Sequence, residues 1–399
     1  MTDTPITIPD TAKRPWKPAD ASWFRGIQAA VAVAAAAGCV AAAAFHPRQF
    51  FFRYLAAAVF LASVGAGSLF WLLLHYLTGA SWSTVMRRLI EHATALLLPA
   101  ALLFVPLIFG LENIFSWASE GRDGLTAAKQ AYLNGPFFIV RSAGYFSIWI
   151  ALALAFRRRS LRQDSDTRQP GLESPNKLCA PGMIMLALTA TFAAFDWIMS
   201  LDPHWYSNIF GVYFWAGSIS GSLALITLFA LWARRRSGLE RLITVEHCHD
   251  LGKLQLGFVS FWAYIAFSQY LLIWYANIPE ETVWYVQRSQ NGWGTASIVL
   301  AFGRFILPFL ILLPRGAKRS PLVLACLSVW LLAFHAFDLY WQILPTLGAE
   351  AYFVHWIDPL VWTLVLSVGL WTLATAASDH PLAPVGDPRL SRAMAFENE

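Results

Sequence analysis

Charged side chains set inside long apolar runs are the residues of this sequence most able to do chemistry. Glu91 and His92 are consecutive in one such run, Asp196 closes another, and Arg304 is the only charged residue in a third. His335 and Asp338 stand three residues apart, as do His355 and Asp358. Holding an ion in hydrocarbon costs about 3 kcal/mol or more, so ionisable groups there mark relays, pathways or partners. On a helix, residues three apart share a face. A His–Asp pair so placed could hold or pass a proton, because His titrates near neutral pH and the carboxylate fixes its tautomer. The competing reading is a hydrogen-bonded network that locks two helices together. Glu91 and His92 pose the same choice. They follow Arg87 and Arg88 by four residues, which predicts either two intrahelical pairs with the arginines snorkelling to water, or a proton entry point. Pro308, four residues after Arg304, has no N–H for the Arg304 carbonyl, so a kink is expected, with Arg304 facing the protein interior.

Other chemistries find less support. The four cysteines, Cys39, Cys179, Cys248 and Cys326, have no CxxC or zinc-like spacing, and no Cys-x-x-Cys-His occurs. A bis-His haem needs two imidazoles at equal depth on facing helices; His75 with His92, or His335 with His355, would be the pairs, but nothing else marks a haem pocket. No catalytic residue, metal site or cofactor bound by this chain itself is expected.

The elements that carry these groups follow from composition. Of 399 residues, 57% are hydrophobic and only 13% are Asp, Glu, Lys or Arg. Soluble domains carry about 25% charged residues, so this surface must face lipid. Nineteen Trp suit the membrane interfaces. An all-α polytopic membrane protein is predicted, with ten spans near 23–45, 50–76, 85–110, 137–157, 182–201, 207–233, 253–277, 292–313, 321–342 and 355–377. With the N-terminus cytoplasmic, most basic residues fall on the inside, including Arg87, Arg88, Arg157 to Arg159, Arg234 to Arg236, Arg315, Lys318 and Arg319. Only Arg48, Arg53, Arg122, Lys129, Arg141 and Arg288 fall outside, which supports both the count and an N-in, C-in orientation. The net charge of +5 is therefore read as positive-inside bias rather than nucleic-acid binding. The Ala36-Ala37-Gly38-Cys39 run is a weak lipoprotein-type site; a permanent first span is the better reading. Residues 1–22 and 379–399 read as loose cytoplasmic ends around a single membrane domain, 23–378, and the 158–181 loop as a flexible connector.

Two stretches are distinctive. One runs Phe195-Asp196-Trp197-Ile198-Met199-Ser200-Leu201-Asp202-Pro203-His204-Trp205-Tyr206-Ser207. The other begins His249-Asp250-Leu251-Gly252-Lys253 and continues through Phe261-Trp262-Ala263-Tyr264 and Phe267-Ser268-Gln269-Tyr270 to Asn277-Ile278-Pro279-Glu280-Glu281-Thr282. Together they resemble the smaller polysulfide-reductase-type (NrfD-like, PsrC-like) integral membrane subunit of bacterial alternative complex III, a quinol:cytochrome c oxidoreductase of the respiratory chain. The resemblance covers nearly the whole chain. It implies two four-helix bundles, spans 2–5 and 6–9, flanked by spans 1 and 10, in the bacterial inner membrane. It also implies partners: a larger homologous membrane subunit that holds the main quinol site, and extracytoplasmic subunits carrying haem c and iron–sulfur clusters. The family motif residues in this chain are Asp196, Asp202, His204, His249, Asp250, Lys253, Glu280 and Glu281.

Three functions then compete. In an energy-coupling subunit, Glu91 and His92 on the inside and Asp196, His335, Asp338, His355 and Asp358 on the outside, with Arg304, Tyr264, Ser268 and Gln269, would form two half-paths for protons. In a structural anchor, buried charges specify helix pairing only, and the outer loops 111–136, 202–206 and 278–291 dock the electron-transfer subunits through acids and aromatics. A secondary transporter would need paired broken helices in corresponding halves, which the sequence lacks.

Overall fold

The computed structural model describes residues 13, 15, 21–119, 127–165, 177–236 and 239–397. Among the described residues, ten helices are long and apolar enough to cross a membrane. They are Ser22–Phe45, Pro47–Thr78, Trp82–Ile108, Gly135–Asp164 and Cys179–Leu201 (spans 1 to 5), then Phe210–Arg235, Val245–Ala276, Trp293–Leu312, Pro321–Gly348 and Ile357–Asp379 (spans 6 to 10). No strand occurs among the described residues, and the one isolated bridge, between Pro15 and Pro381, brings the two chain ends together on one face. That face is called the terminal face below.

Local sequence sets the helix ends. Span 2 opens with Pro47 at its first position and ends at Gly79 in the left-handed region, φ 64°. Thr244 and His247 form a capping box at the start of span 7, and Asn277 ends it at φ 49°. Span 9 starts with Ser320 accepting from the Val323 N–H ahead of Pro321.

Spans 2 to 5 pack as one four-helix bundle and spans 6 to 9 as a second, with span 2 against spans 6 and 9 at the seam. Span 1 lies along span 10, which rests on span 2. Small residues let the bundles close. A Cβ on Gly67 would overlap both the Ser218 carbonyl and the Ser222 hydroxyl of span 6. One on Gly221 would meet the His335 ring at 2.6 Å.

The ends depart from expectation. The C-terminal segment is not loose: Leu382, Ala383, Leu390 and Ala393 are buried, and the helix Leu390–Met394 packs on the turn Trp82–Met86. The apolar residues at every third or fourth place there bury a face that composition alone hides. Span 4 also runs to Asp164, so the 158–181 connector begins as helix; residues 166–176 within it lie outside the description, as does much of 1–22.

Candidate functional site

The predicted site residues fall into four charge clusters, each built on an arginine. The central one joins the two bundles. Arg304 of span 8 donates to Asp338 of span 9 at 2.7 Å and to the carbonyls of Phe334 and Gly217 at 3.3 Å. Tyr213 of span 6 donates to the other Asp338 oxygen at 2.5 Å, and the Trp262 ring lies 4.5 Å from the guanidinium carbon. Arg304 also stands 3.1 Å from His335 Nδ1. A guanidinium has no lone pair to offer, so Nδ1 must accept and the ring proton belongs on Nε2. Nε2 lies 2.8 Å from the Ser63 hydroxyl of span 2, which donates onward to the Phe60 carbonyl. Asp338, His335 and Arg304 are at most 2% exposed. His335 and Asp338 therefore meet through Arg304 instead of bonding each other: each needs a donor, and the arginine supplies both.

The backbone of span 8 is adjusted to place this arginine. Residues Phe302–Ile306 form a π-helical turn, with Pro308 just beyond. The expected kink is thus resolved as a π turn, which shifts the helix register by one residue and points Arg304 into the bundle. Trp330 donates to the Gly303 carbonyl at 2.7 Å, and a Cβ on Gly303 would overlap the Phe334 ring.

A second cluster closes the first bundle at the terminal face. The expected pairs Arg87–Glu91 and Arg88–His92 do not form. Arg88 lies 3.2 Å from Glu91, donates to Asp164 of span 4 at 2.6 Å and to the Ser160 hydroxyl at 3.1 Å. Arg87 pairs with Asp387 of the C-terminal segment, whose neighbour Gly386 donates its N–H to Asp164 at 3.0 Å. Glu91 and His92 are fully buried, and neither makes a well-aligned side-chain hydrogen bond. Burial acts to raise the Asp387 carboxyl, but Arg87 and the Arg389 main-chain and side-chain donors outweigh it and hold it below the ordinary value.

The other two clusters lie at the opposite face. Asp196 of span 5 accepts a two-pronged contact from Arg141 of span 4, at 2.8 and 3.0 Å, and a third bond from Tyr145 at 2.7 Å. The rings of Tyr132 and Phe137 bracket the guanidinium. Asp358 of span 10 accepts two 2.7 Å bonds from Arg53 of span 2, and one from Tyr340. His355 is not on that helix: it precedes Ile357–Asp379, and its main-chain N–H, rather than its ring, reaches Asp358 at 2.7 Å. Burial, with Arg53 nearby, lowers the His355 pKa.

The remaining motif residues organise the ends of spans. Asp250 pairs with Lys253, and Glu246 with Arg319, at the terminal ends of spans 7 to 9. His249 is buried there. Asp202 accepts the His204 N–H at 3.2 Å in the turn after span 5, and Trp205 donates to the Glu281 carbonyl at 3.0 Å. Glu280 and His204 are exposed, and Glu281 is half-buried. Glu120 and Asp123 of the proposed docking face lie outside the described residues.

The eight proton-path candidates fall into four clusters. Arg304, His335 and Asp338 share one site; Glu91 and His92 share another; Asp196 belongs to a third, and Asp358 with the His355 main chain to a fourth. Ser63, Tyr213, Arg53, Arg141, Asp164 and Asp387 complete these clusters, and local spacing does not reveal them because each comes from a different element. Both ring nitrogens of His335 are engaged, so that ring offers none to a haem iron. Among the described residues no group of three or more His, Cys, Asp or Glu is placed to hold a metal ion.

Comparison with protein-family models finds no match, and comparison with curated proteins finds none either.

Proposed function

We propose that this chain is a membrane subunit of a bacterial respiratory quinol:electron-acceptor oxidoreductase of the alternative complex III type, and that it contributes to proton translocation through the central cluster. The observation that carries the coupling role is the chain Tyr213–Asp338–Arg304–His335–Ser63. It holds a carboxyl, an imidazole and two hydroxyls in hydrogen-bond contact across the seam of the two bundles. Arg304 carries no proton itself, so the chain passes one if both of its bonds, to Asp338 and to Nδ1 of His335, break in one state of a redox cycle; a protonated Asp338 then donates directly to the freed Nδ1, and the ring releases its Nε2 proton toward Ser63. The two bundles flanked by spans 1 and 10 and the two long motifs support membership of such a complex. On this reading both termini are cytoplasmic, a larger homologous membrane chain binds beside this one, and subunits with haem c and iron–sulfur clusters dock at the face of Glu280 and Glu281.

A structural anchor is the second reading. It is favoured by the fact that Asp196, Asp338, Asp358 and Glu91 each stand against an arginine, an arrangement that also serves to fix helix pairing.

Membership is tested by purifying the tagged chain from native membranes: haem c and iron–sulfur chains should co-purify, and their absence refutes the proposal. Within the complex, Asp338→Asn, His335→Gln and Glu91→Gln remove titration while keeping size. Coupling predicts assembled complexes that release fewer protons per electron in proteoliposomes for Asp338→Asn and His335→Gln. A wild-type ratio in both gives the function to the anchor.

A further inference from the structure

The segment that follows span 10 covers two ionisable groups. It leaves the helix at Asp379 and turns back through His380 in extended geometry. Pro381, Pro384, Gly386 and Pro388 keep it irregular up to the short helix Leu390–Met394. Beneath it lie Glu91 and His92 of span 3, both fully buried. The Pro381 carbonyl and the His380 ring stand close to the His92 ring. Two neighbours of Glu91 are capped by the same segment: Arg87 pairs with Asp387, and Asp164 accepts the Gly386 N–H at 3.0 Å. Neither carboxyl oxygen of Glu91 and neither ring nitrogen of His92 is in a well-aligned hydrogen bond. A clamp serving only structure would do better with apolar side chains there, because ionisable groups buried without aligned partners are costly. Their retention under this segment points to a state in which water reaches them.

The way the segment is held suits it to lifting. Its catch is polar, the Asp387 and Gly386 contacts above. Its far end has a small apolar seat, where Leu390 and Ala393 are buried and the helix rests on the turn Trp82–Met86. Gly386 lies directly on span 4, and a Cβ there would overlap the Gln163 carbonyl. The Phe396 ring stands 6.3 Å from Trp82 and 5.7 Å from His247 at the start of span 7. The segment therefore straddles the two bundles at the terminal face, and a displacement of one against the other would pull on it. Short irregular segments of this kind open locally at lower cost than the packed helices below them.

We propose that residues 380–396 form a lid over Glu91 and His92: seated, it keeps both groups dry, and lifted about Asp379–Pro381 it admits water to them from the terminal face. The proposal rests on these contacts and not on the central cluster, so its failure leaves the coupling test untouched. The probe is a water-soluble carbodiimide with glycinamide, applied to the full chain in lipid nanodiscs. Peptide mapping reads amide formation at Glu91, with the exposed Glu280 as reference, and protection factors in 382–394 read the lid. In the wild type Glu91 should label at least about tenfold more slowly than Glu280. Gly386→Val and Leu390→Asp act on the lid and leave the groups beneath it intact. Each should lower protection in 382–394 and speed Glu91 labelling at least about tenfold. Glu91 labelling as fast as Glu280 in the wild type, or a loosened lid without faster labelling, would overturn the proposal. So would unchanged protection in both variants, which would make the segment a fixed clamp. If neither variant folds, a temperature series on the wild type decides: Glu91 labelling should rise in step with opening of 382–394, and labelling that stays flat while the lid opens counts against it.

Discussion

The two bundles handle buried charge in opposite ways. In the first, spans 2 to 5, the acidic groups at the terminal face are sealed: Glu91 is fully buried, Asp164 is bonded by Arg88, and the C-terminal segment lies over the arginines through Asp387. In the second, spans 6 to 9, the one carboxylate at the centre, Asp338, sits beside a cavity open to lipid and on a helix with a π turn opposite it. The ion pairs of both halves are buried, but in the second Tyr213 and Trp262 touch the pair on one side and line the cavity on the other. On the proposed coupling role, the second bundle is where a change of protonation would be driven.

The sharpest way to break this contrast is to orphan Asp338. Arg304→Leu leaves a buried carboxylate without its cation and should destabilise the fold by about 3–5 kcal/mol, whereas Arg304→Leu with Asp338→Leu should recover most of that loss. Thermal unfolding in detergent reads both. Equal melting temperatures for the single and double variants would mean that the pair is not coupled, and the second bundle would lose its special site.

The seam between the bundles is the next target. Gly67→Val puts a side chain where even a Cβ would overlap the Ser218 carbonyl and the Ser222 hydroxyl of span 6. Overpacking of this kind costs about 1–3 kcal/mol. It should also lengthen the Ser63–His335 contact, which crosses the same seam, and, on the proposed coupling role, lower the proton-to-electron ratio together with stability. A drop in stability with an unchanged ratio would place the relay away from Ser63.

The smallest effect concerns the seal on the first bundle. The folded pKa of Asp387 lies below that of a free Asp, about 3.9. Its contribution to holding the C-terminal segment is therefore complete above the free value and is lost as pH falls through the lower, folded one. Protection factors in 382–394, which correct exchange for its intrinsic pH dependence, should be unchanged from pH 7 to 5 and fall in acid below about 4. Asp387→Asn should show the lowered protection already at pH 7. Were the variant as protected as the wild type, the buried Leu382, Leu390 and Ala393 would be holding the segment by packing alone.

Much of the architecture is fixed locally. Apolar run length sets where the ten spans lie, because a backbone in lipid must satisfy its own hydrogen bonds and does so as helix. Pro47, Pro321, Gly79 and Asn277 mark helix ends through φ values that no neighbour needs to impose. The presence of costly groups at Glu91, Arg304, His335 and Asp338 is also plain from the sequence. Which of them meet is not. Arg304 finds Asp338 and His335 thirty and more residues away, Arg53 finds Asp358 across 305 residues, and Arg87 finds Asp387 across 300. Those pairings depend on the rotation of each helix about its axis, which small residues such as Gly67, Gly217 and Gly221 set by letting particular faces approach. Only the tertiary structure decides them, because apolar residues surround these helices on nearly every side and a sequence with no polar face does not say which way to turn.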